Sequence, residues 1–222
     1  MKMNMKRGAV LLCCLLLAGC GSSKTGSAVS ESAKAVDNER VAAVSSVTQE
    51  TLEENSFQTE VLTADQEKIA RFFAGAGYHL FQYSVSEDYT KAVITGVHFQ
   101  KGTEVSEDTV LEYSLEENGN AGRLAVWDDI DSADLTLKVG TDTATQSRTV
   151  SLENAYDIHT DATYPVSKEE MKYTVQKGER YPFFLIICGD EPPAASFDKM
   201  VEDTEHELKD VEDCVVFYLQ FE

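Results

Sequence analysis

Alternating apolar and polar residues run through the middle of the chain and predict β-strands. Phe81 and Tyr83 alternate with polar neighbours, as do Leu111, Tyr113 and Leu115. A period of two residues buries one face of a strand and exposes the other. Similar short segments, separated by Gly, Asn, Asp and Ser, occur at residues 92–99, 123–127, 135–139, 148–152, 171–175 and 181–188. Many short strands with such separators are typical of an antiparallel β-sandwich.

A helical period is found at each end of this β-rich region. Residues 63–66 read Thr-Ala-Asp-Gln, and the spacing of Thr63 and Gln66 fits a capping box that begins a short helix. Near the C-terminus, apolar positions from Phe197 through Met200 to Leu208 predict one amphipathic helix. It lies between two continuous apolar runs, residues 181–188 and 214–221, that suit strands covered on both faces.

The predicted fold class is therefore mainly β. We expect an antiparallel β-sandwich-like domain with a short N-terminal helix and a C-terminal strand-helix-strand module.

The N-terminus has the pattern of a targeting segment. Lys2, Lys6 and Arg7 precede an apolar run of about ten residues, at positions 9–18. A charged start followed by an apolar run of this length is typical of a signal peptide. A membrane-spanning helix needs about 20 apolar residues, so the run is too short to span a bilayer.

The run ends at Leu17-Ala18-Gly19-Cys20, which resembles the lipobox of bacterial lipoproteins. The resemblance implies that the leader is removed, that Cys20 becomes the N-terminus and that its thiol carries a diacylglyceryl group. The lipid bilayer is then a partner, because two or more acyl chains hold a protein stably on a membrane. We expect a lipid-anchored protein on the extracytoplasmic face of the cell membrane. The alternative is an ordinary secretory signal in which Cys20 is incidental.

Three regions follow from these patterns. Residues 1–19 are the predicted lipoprotein signal peptide, residues 20–58 a lipid-anchored flexible tether, and residues 59–222 a single extracytoplasmic β-rich domain. The tether is rich in Ser, Ala, Glu, Thr and Val, and its first aromatic residue is Phe57. Such a composition buries too little apolar surface to offset the entropy lost on ordering.

Charge excludes one class of partner. The 222 residues include 19 Lys and Arg against 39 Asp and Glu, a formal net charge of -20. A surface of this sign repels a phosphate backbone, so we expect no nucleic acid partner. Excess carboxylate also keeps an extracellular protein soluble.

The stretch Trp-Asp-Asp-Ile-Asp-Ser-Ala-Asp contains the candidate metal ligands Asp128, Asp129, Asp131 and Asp134. Calcium binds six to eight oxygen atoms, and closely spaced aspartates in a loop supply several. Aspartate is also common in polar turns for its local hydrogen bonds, so an ordinary turn is the alternative. Calcium is the one cofactor that the sequence suggests.

The single tryptophan, Trp127, precedes these aspartates. An aromatic face beside carboxylates is a candidate ligand platform, for example for a sugar. An aromatic residue at the end of a strand also commonly belongs to the core.

Cys188 and Cys214 are candidates for a disulfide, which is chemically permitted outside the cytoplasm. A right-handed crossover to a parallel strand would place them about 20 Å apart, at opposite ends of the sheet. That exceeds the limit of about 7 Å between the two Cα atoms of a disulfide. Antiparallel strands would bring the two cysteines together, so both arrangements remain open.

No HExxH, GxSxG, GxxxxGK or GxGxxG motif is present, and the four histidines are scattered along the chain. The leading prediction is a non-catalytic surface lipoprotein that binds a protein, glycan or ion outside the membrane. One alternative is a cell-envelope hydrolase with dispersed carboxylates such as Asp128, Asp131 or Glu169. Another is an accessory subunit of an envelope complex.

Overall fold

Strands form most of the regular structure in the computed structural model, which describes residues 52–74, 77–129, 134–141, 143–160, 162–168, 170–189 and 194–222. The strands are β1 (Ser56–Thr59), β2 (Tyr78–Ser84), β3 (Lys91–Gln100), β4 (Thr103–Ser114), β5 (Ala121–Asp129), β6 (Asp134–Gly140), β7 (Thr145–Ser151), β8 (Thr163–Val166), β9 (Lys172–Thr174), β10 (Arg180–Cys188) and β11 (Asp213–Phe221). The helices are α1 (Ala64–Ala74), α2 (Leu115–Asn118), α3 (Leu152–Tyr156), α4 (Phe197–Glu202) and α5 (Thr204–Glu207).

The strands form two sheets. One has the order β7-β6-β5-β2-β1-β9, and the other has the order β4-β3-β11-β10-β8. Neighbouring strands run antiparallel throughout both sheets. The prediction of a mainly β, antiparallel, sandwich-like domain is confirmed.

The main core lies between the inner faces of the two sheets. Phe57 and Phe81 from the six-stranded sheet and Ile94 and Phe217 from the five-stranded sheet belong to one buried cluster. A second cluster covers the outer face of the five-stranded sheet and includes Val216 of β11 and Phe197 and Met200 of α4. Because β10 and β11 are buried on both faces, their sequences are continuously apolar rather than alternating.

A β-bulge adds a further aromatic side chain to the core. The register between β10 and β11 shifts between Pro182 and Phe184. Phe183 and Phe184 are therefore both fully buried in the cluster between the sheets, although they are consecutive in sequence.

The N-terminal helix begins as the capping box predicts. The backbone N–H of Thr63 donates to Gln66 Oε1 at 2.9 Å, and the N–H of Gln66 donates to Thr63 Oγ1 at 3.4 Å. None of the helices in the described residues is long and apolar enough to cross a bilayer.

The predicted C-terminal helix is two short helices. Asp203 leaves the helical conformation, with φ −138° and ψ 65°, and separates α4 from α5. Its carboxylate accepts a hydrogen bond from the backbone N–H of His206 at 3.3 Å, so it caps the second helix. The cap at Asp203 therefore divides the predicted helix, although the apolar residues on either side of it keep a helical spacing.

Regular structure begins a few residues before position 59, where the sequence pattern places the start of the domain. Residues 56–59 form β1, which pairs with β2 on one side and β9 on the other. Phe57 is 0% exposed. The chain from Gln49 to Glu222 groups into one compact unit, so the domain begins before residue 56. Residues 1–51, including Cys20 and most of the predicted tether, lie outside the described residues.

Cys188 and Cys214 are both buried free thiols in the structure, although their strands are antiparallel neighbours. Cys188 pairs with Asp213, and Cys214 pairs with Ile187. This offset of one residue points the two side chains to opposite faces of the sheet. Cys188 accordingly belongs to the core between the sheets, and Cys214 to the cluster on the outer face.

We expect the free energy of unfolding to fall above about pH 10. Burial raises the pKa of both Tyr173 and Tyr181 to about 12, whereas tyrosine in an unfolded chain titrates near pH 10. Between about pH 10 and 12 the unfolded state has lost protons that the folded state keeps, so stability decreases as pH rises. Below pH 10, both tyrosines are protonated in the folded and the unfolded state, and their contribution to the free energy of unfolding is complete.

Urea denaturation at about pH 9 and pH 11 measures this decrease. Tyr181→Phe removes one of the titrating groups, so the variant should lose less stability between the two pH values than the wild type. An equal loss in both proteins would contradict this assignment.

Candidate functional site

A cavity of about 420 Å³ lies beside the start of β2. It is lined by the end of β1, the segment that continues into α1, the first residues of β2 and the two residues that follow β8. The cavity therefore lies between the six-stranded sheet, α1 and the segment that follows β8 of the other sheet.

The cavity forms where β1 ends before its neighbour does. β1 has four residues and β2 has seven, and Thr59 is paired with Phe81. Directly after this pair, the backbone N–H of Glu60 donates a hydrogen bond to the Leu80 carbonyl at 2.9 Å. Tyr78 and His79 lie beyond the part of β2 that pairs with β1, and both residues line the cavity.

A serine and a histidine meet inside this cavity. Ser167 follows β8 of the five-stranded sheet, and His79 belongs to β2 of the six-stranded sheet. Ser167 Oγ lies 2.6 Å from His79 Nδ1. The imidazole also contacts the ring of Phe184, with ring centroids 5.1 Å apart. The hydrogen bond therefore joins the two sheets at the margin of their common core.

The acidic side chains that line the cavity are neutralised within the protein. Glu67 Oε1 lies 2.7 Å from Arg71 Nη2, which also lines the cavity. Glu60 Oε2 lies 2.8 Å from Nε of Arg123. The hydrogen bond from Arg71 to Glu67, and the negative charge of Glu67, raise the pKa of the guanidinium.

Lys168, the other lysine or arginine in the lining, is paired in the same way. Its Nζ lies 2.8 Å from Oδ2 of Asp198 at the start of α4. A ligand thus meets a lining in which each Asp, Glu, Lys or Arg side chain already has an opposite charge beside it.

Uncharged groups make up the rest of the lining. Tyr78, His79 and Ser167 supply hydrogen-bonding atoms. Apolar surface comes from Leu62 and Leu80. Such a combination suits a ligand with both hydroxyl groups and carbon–hydrogen faces.

Trp127 lies beside the cavity rather than in the core. It is half-buried, and its strand neighbours Leu124 and Val126 are the residues that contact the core. The register places Trp127 opposite Tyr78, which lines the cavity. Its use as a ligand platform stays a prediction.

The aspartates predicted to bind calcium belong mainly to a hairpin. Asp128 and Asp129 end β5, and Asp134 begins β6 opposite Asp129. Asp131 lies outside the described residues, as does Glu169 of the carboxylate hydrolase hypothesis. Among the described side chains, no group of three potential ligands is close enough to hold a metal ion. The calcium site stays a prediction.

A second polar cluster lies at the inner face of the five-stranded sheet. His98 Nε2 is 2.8 Å from Asp213 Oδ1. The centroids of the His98 and Tyr156 rings are 6.0 Å apart. The Tyr156 hydroxyl is buried without a hydrogen-bond partner. A β-carbon on Gly96 would lie 2.0 Å from this oxygen, so glycine leaves the space that the tyrosine occupies.

This second cluster does not activate its neighbouring thiol. Burial, together with the carboxylate of Asp213, raises the pKa of Cys188 to about 12. A thiol with such a pKa remains protonated near neutral pH, and the thiolate is the nucleophilic form. We therefore assign His98 and Asp213 a structural role in tying β3 to β11.

Sequence reasoning missed the pair at the centre of the cavity. His79 is one of four histidines scattered along the sequence, and no distinguishing motif surrounds Ser167. The two residues are 88 positions apart. Only the packing of the two sheets brings them together.

No protein-family model matches the chain, and neither does any curated protein or solved structure.

Proposed function

We propose that this protein is a lipid-anchored extracytoplasmic binding protein, and that its cavity binds a neutral, hydroxyl-rich ligand such as a sugar unit of an envelope glycan. The proposal of an anchor rests on the charged start, the apolar run and the lipobox-like residues that end at Cys20. The proposal of a ligand class rests on the cavity beside β2.

The observation that carries the ligand class is the internal pairing of the cavity's charged side chains. A charged ligand has to compete with the contacts from Glu67 to Arg71, from Glu60 to Arg123 and from Lys168 to Asp198. A neutral ligand leaves these ion pairs in place.

The remaining groups suit a sugar. Hydroxyl groups of a sugar both donate and accept hydrogen bonds, as do those of Tyr78 and Ser167. Its carbon–hydrogen faces match the apolar surface of Leu62 and Leu80. A volume of about 420 Å³ lies within the range of small-molecule sites, about 300–1,000 Å³.

Calorimetric titration of the detergent-solubilised protein with three related sugars tests the ligand class. Glucose is neutral, glucuronate is negative and glucosamine is positive. We expect glucose to bind at least about tenfold more tightly than either charged sugar, a difference of about 1.4 kcal/mol. Tyr78→Ala should weaken the binding of glucose, because it removes an aromatic wall of the cavity.

Gln146→Ala is the matched control, because Gln146 is an exposed residue of β7 and does not line the cavity. It should bind glucose as the wild type does. A preference for either charged sugar, or no binding of glucose at millimolar concentration, would contradict the proposed ligand class.

A further inference from the structure

We propose that Ser167 is a nucleophile, that His79 is its general base, and that the cavity hydrolyses an O-acyl ester of a neutral, hydroxylated compound. The substrate class rests on the function proposed above. The nucleophile itself rests on the geometry of the two side chains.

The contact between the two side chains has the geometry that proton transfer needs. Ser167 Oγ and His79 Nδ1 are 2.6 Å apart. A serine and its base lie within about 2.6–3.2 Å of each other in activated nucleophiles. With the ring hydrogen on Nε2, Nδ1 accepts the hydroxyl hydrogen and is placed to take the proton when Oγ attacks.

Paired strands fix the positions of both residues, with His79 inside one strand and Ser167 directly after the end of another. His79 pairs with Val126 of β5, and its ring contacts Phe184 from the opposite sheet. Ser167 directly follows Val166, which pairs with Leu185 of β10. Groups carried on paired strands keep their relative position better than groups carried on long loops.

The lining fits an uncharged ester. A phosphate ester would require free positive charge, whereas Arg71 and Lys168 are each paired with a carboxylate. The apolar surfaces of Leu62 and Leu80 suit a short acyl chain, and the hydroxyl groups of the lining suit the alcohol part.

The reaction balances with water as the only co-reactant. Ser167 Oγ forms a bond to the acyl carbon while its proton passes to His79 Nδ1. The bond from the acyl carbon to the alcohol oxygen then breaks, and that oxygen takes the proton from His79. Water attacks the acyl-serine, gives a proton to His79, and releases the carboxylic acid as Ser167 Oγ recovers that proton.

A fluorophosphonate probe tests the nucleophile directly, because the reactive serine displaces its fluoride and keeps the phosphonyl group. In the full-length protein, mass spectrometry of peptides should find the label on Ser167. Labelling of that peptide and hydrolysis of p-nitrophenyl acetate should both be lost in Ser167→Ala. His79→Gln should slow both by about 10²-fold or more, the usual contribution of a general base.

Ser147→Ala is the matched control, because Ser147 is exposed on β7 and outside the cavity. It should react as the wild type does. Circular dichroism and thermal melting check that each variant is folded. If His79→Gln does not fold, the position of the label in the wild type and its loss in Ser167→Ala test whether Ser167 is the nucleophile.

A wild-type protein that leaves Ser167 unlabelled would overturn this inference, and so would equal labelling of wild type and folded His79→Gln. The sugar titration separates the two proposals. If glucose binds but Ser167 does not react, the nucleophile is wrong and the ligand class stands. If Ser167 reacts but glucose does not bind, the nucleophile stands and the ligand class is wrong.

Discussion

Phe57→Ala is expected to lower the free energy of unfolding by about 3–5 kcal/mol, the usual cost of truncating a buried phenylalanine. Phe57 is 0% exposed. The centroid of its ring lies 5.7 Å from that of Phe81 and 6.1 Å from that of Phe183. Phe57 therefore packs against aromatic residues of both sheets. A domain of this kind is stable by only about 5–15 kcal/mol, so the variant should lose a large share of its stability.

Denaturation in urea measures this loss, with Gln58→Ala as the control. Gln58 neighbours Phe57 in β1 but is half-buried and lies outside the core cluster. Substitutions at such positions usually change stability by about 0.5 kcal/mol or less. Similar losses in the two variants would show that β1 is not part of the core.

Cys20→Ser is expected to move the protein from the membrane fraction to the soluble fraction. The serine oxygen does not replace the thiol that receives the diacylglyceryl group in the lipoproteins that this N-terminus resembles. Without acyl chains, the apolar burial that holds the chain on a bilayer is lost, at about 0.8 kcal/mol for each CH₂ group.

Cys14→Ser provides a matched control for that substitution. Cys14 lies in the leader that the proposal removes, six positions before Cys20. The variant should stay in the membrane fraction like the wild type. Retention of Cys20→Ser on the membrane, or release of Cys14→Ser, would contradict a lipid anchor at Cys20.

The fold class was predictable because its signal is local. Alternation at Phe81, Tyr83 and Leu111 requires only that one face of each strand be buried, and the structure buries that face. β1 was missed because it has four residues and one aromatic side chain in a polar segment. Its order comes from pairing with β2 and β9, and β9 lies more than a hundred residues away.

The positions of the two cysteines depend on strand direction and register, which the sequence does not predict. The sequence locates both strands but leaves their relative direction and register open. The structure makes them antiparallel with an offset of one residue, which directs Cys188 and Cys214 to opposite faces. Because successive side chains of a strand point to opposite faces, an offset of one residue moves a side chain to the other face.

The candidate site depends on contacts that no local pattern encodes. Ser167 and His79 meet because the two sheets pack together at the end of β1. The acidic stretch for which calcium binding was predicted stands out by its composition, whereas the residues that line the cavity form no sequence motif. The ion pairs of the cavity lining likewise connect segments that are distant in sequence, as Lys168 and Asp198 do.

The intact mass of the protein extracted from its native membrane tests the central claim most directly. A lipid-anchored protein should have the mass of a chain that begins at Cys20, increased by a diacylglyceryl group. A chain that lacks the leader but carries no acyl groups would contradict the anchor. A chain that still begins at Met1 and is recovered from the cytosol would contradict both the anchor and the extracytoplasmic location.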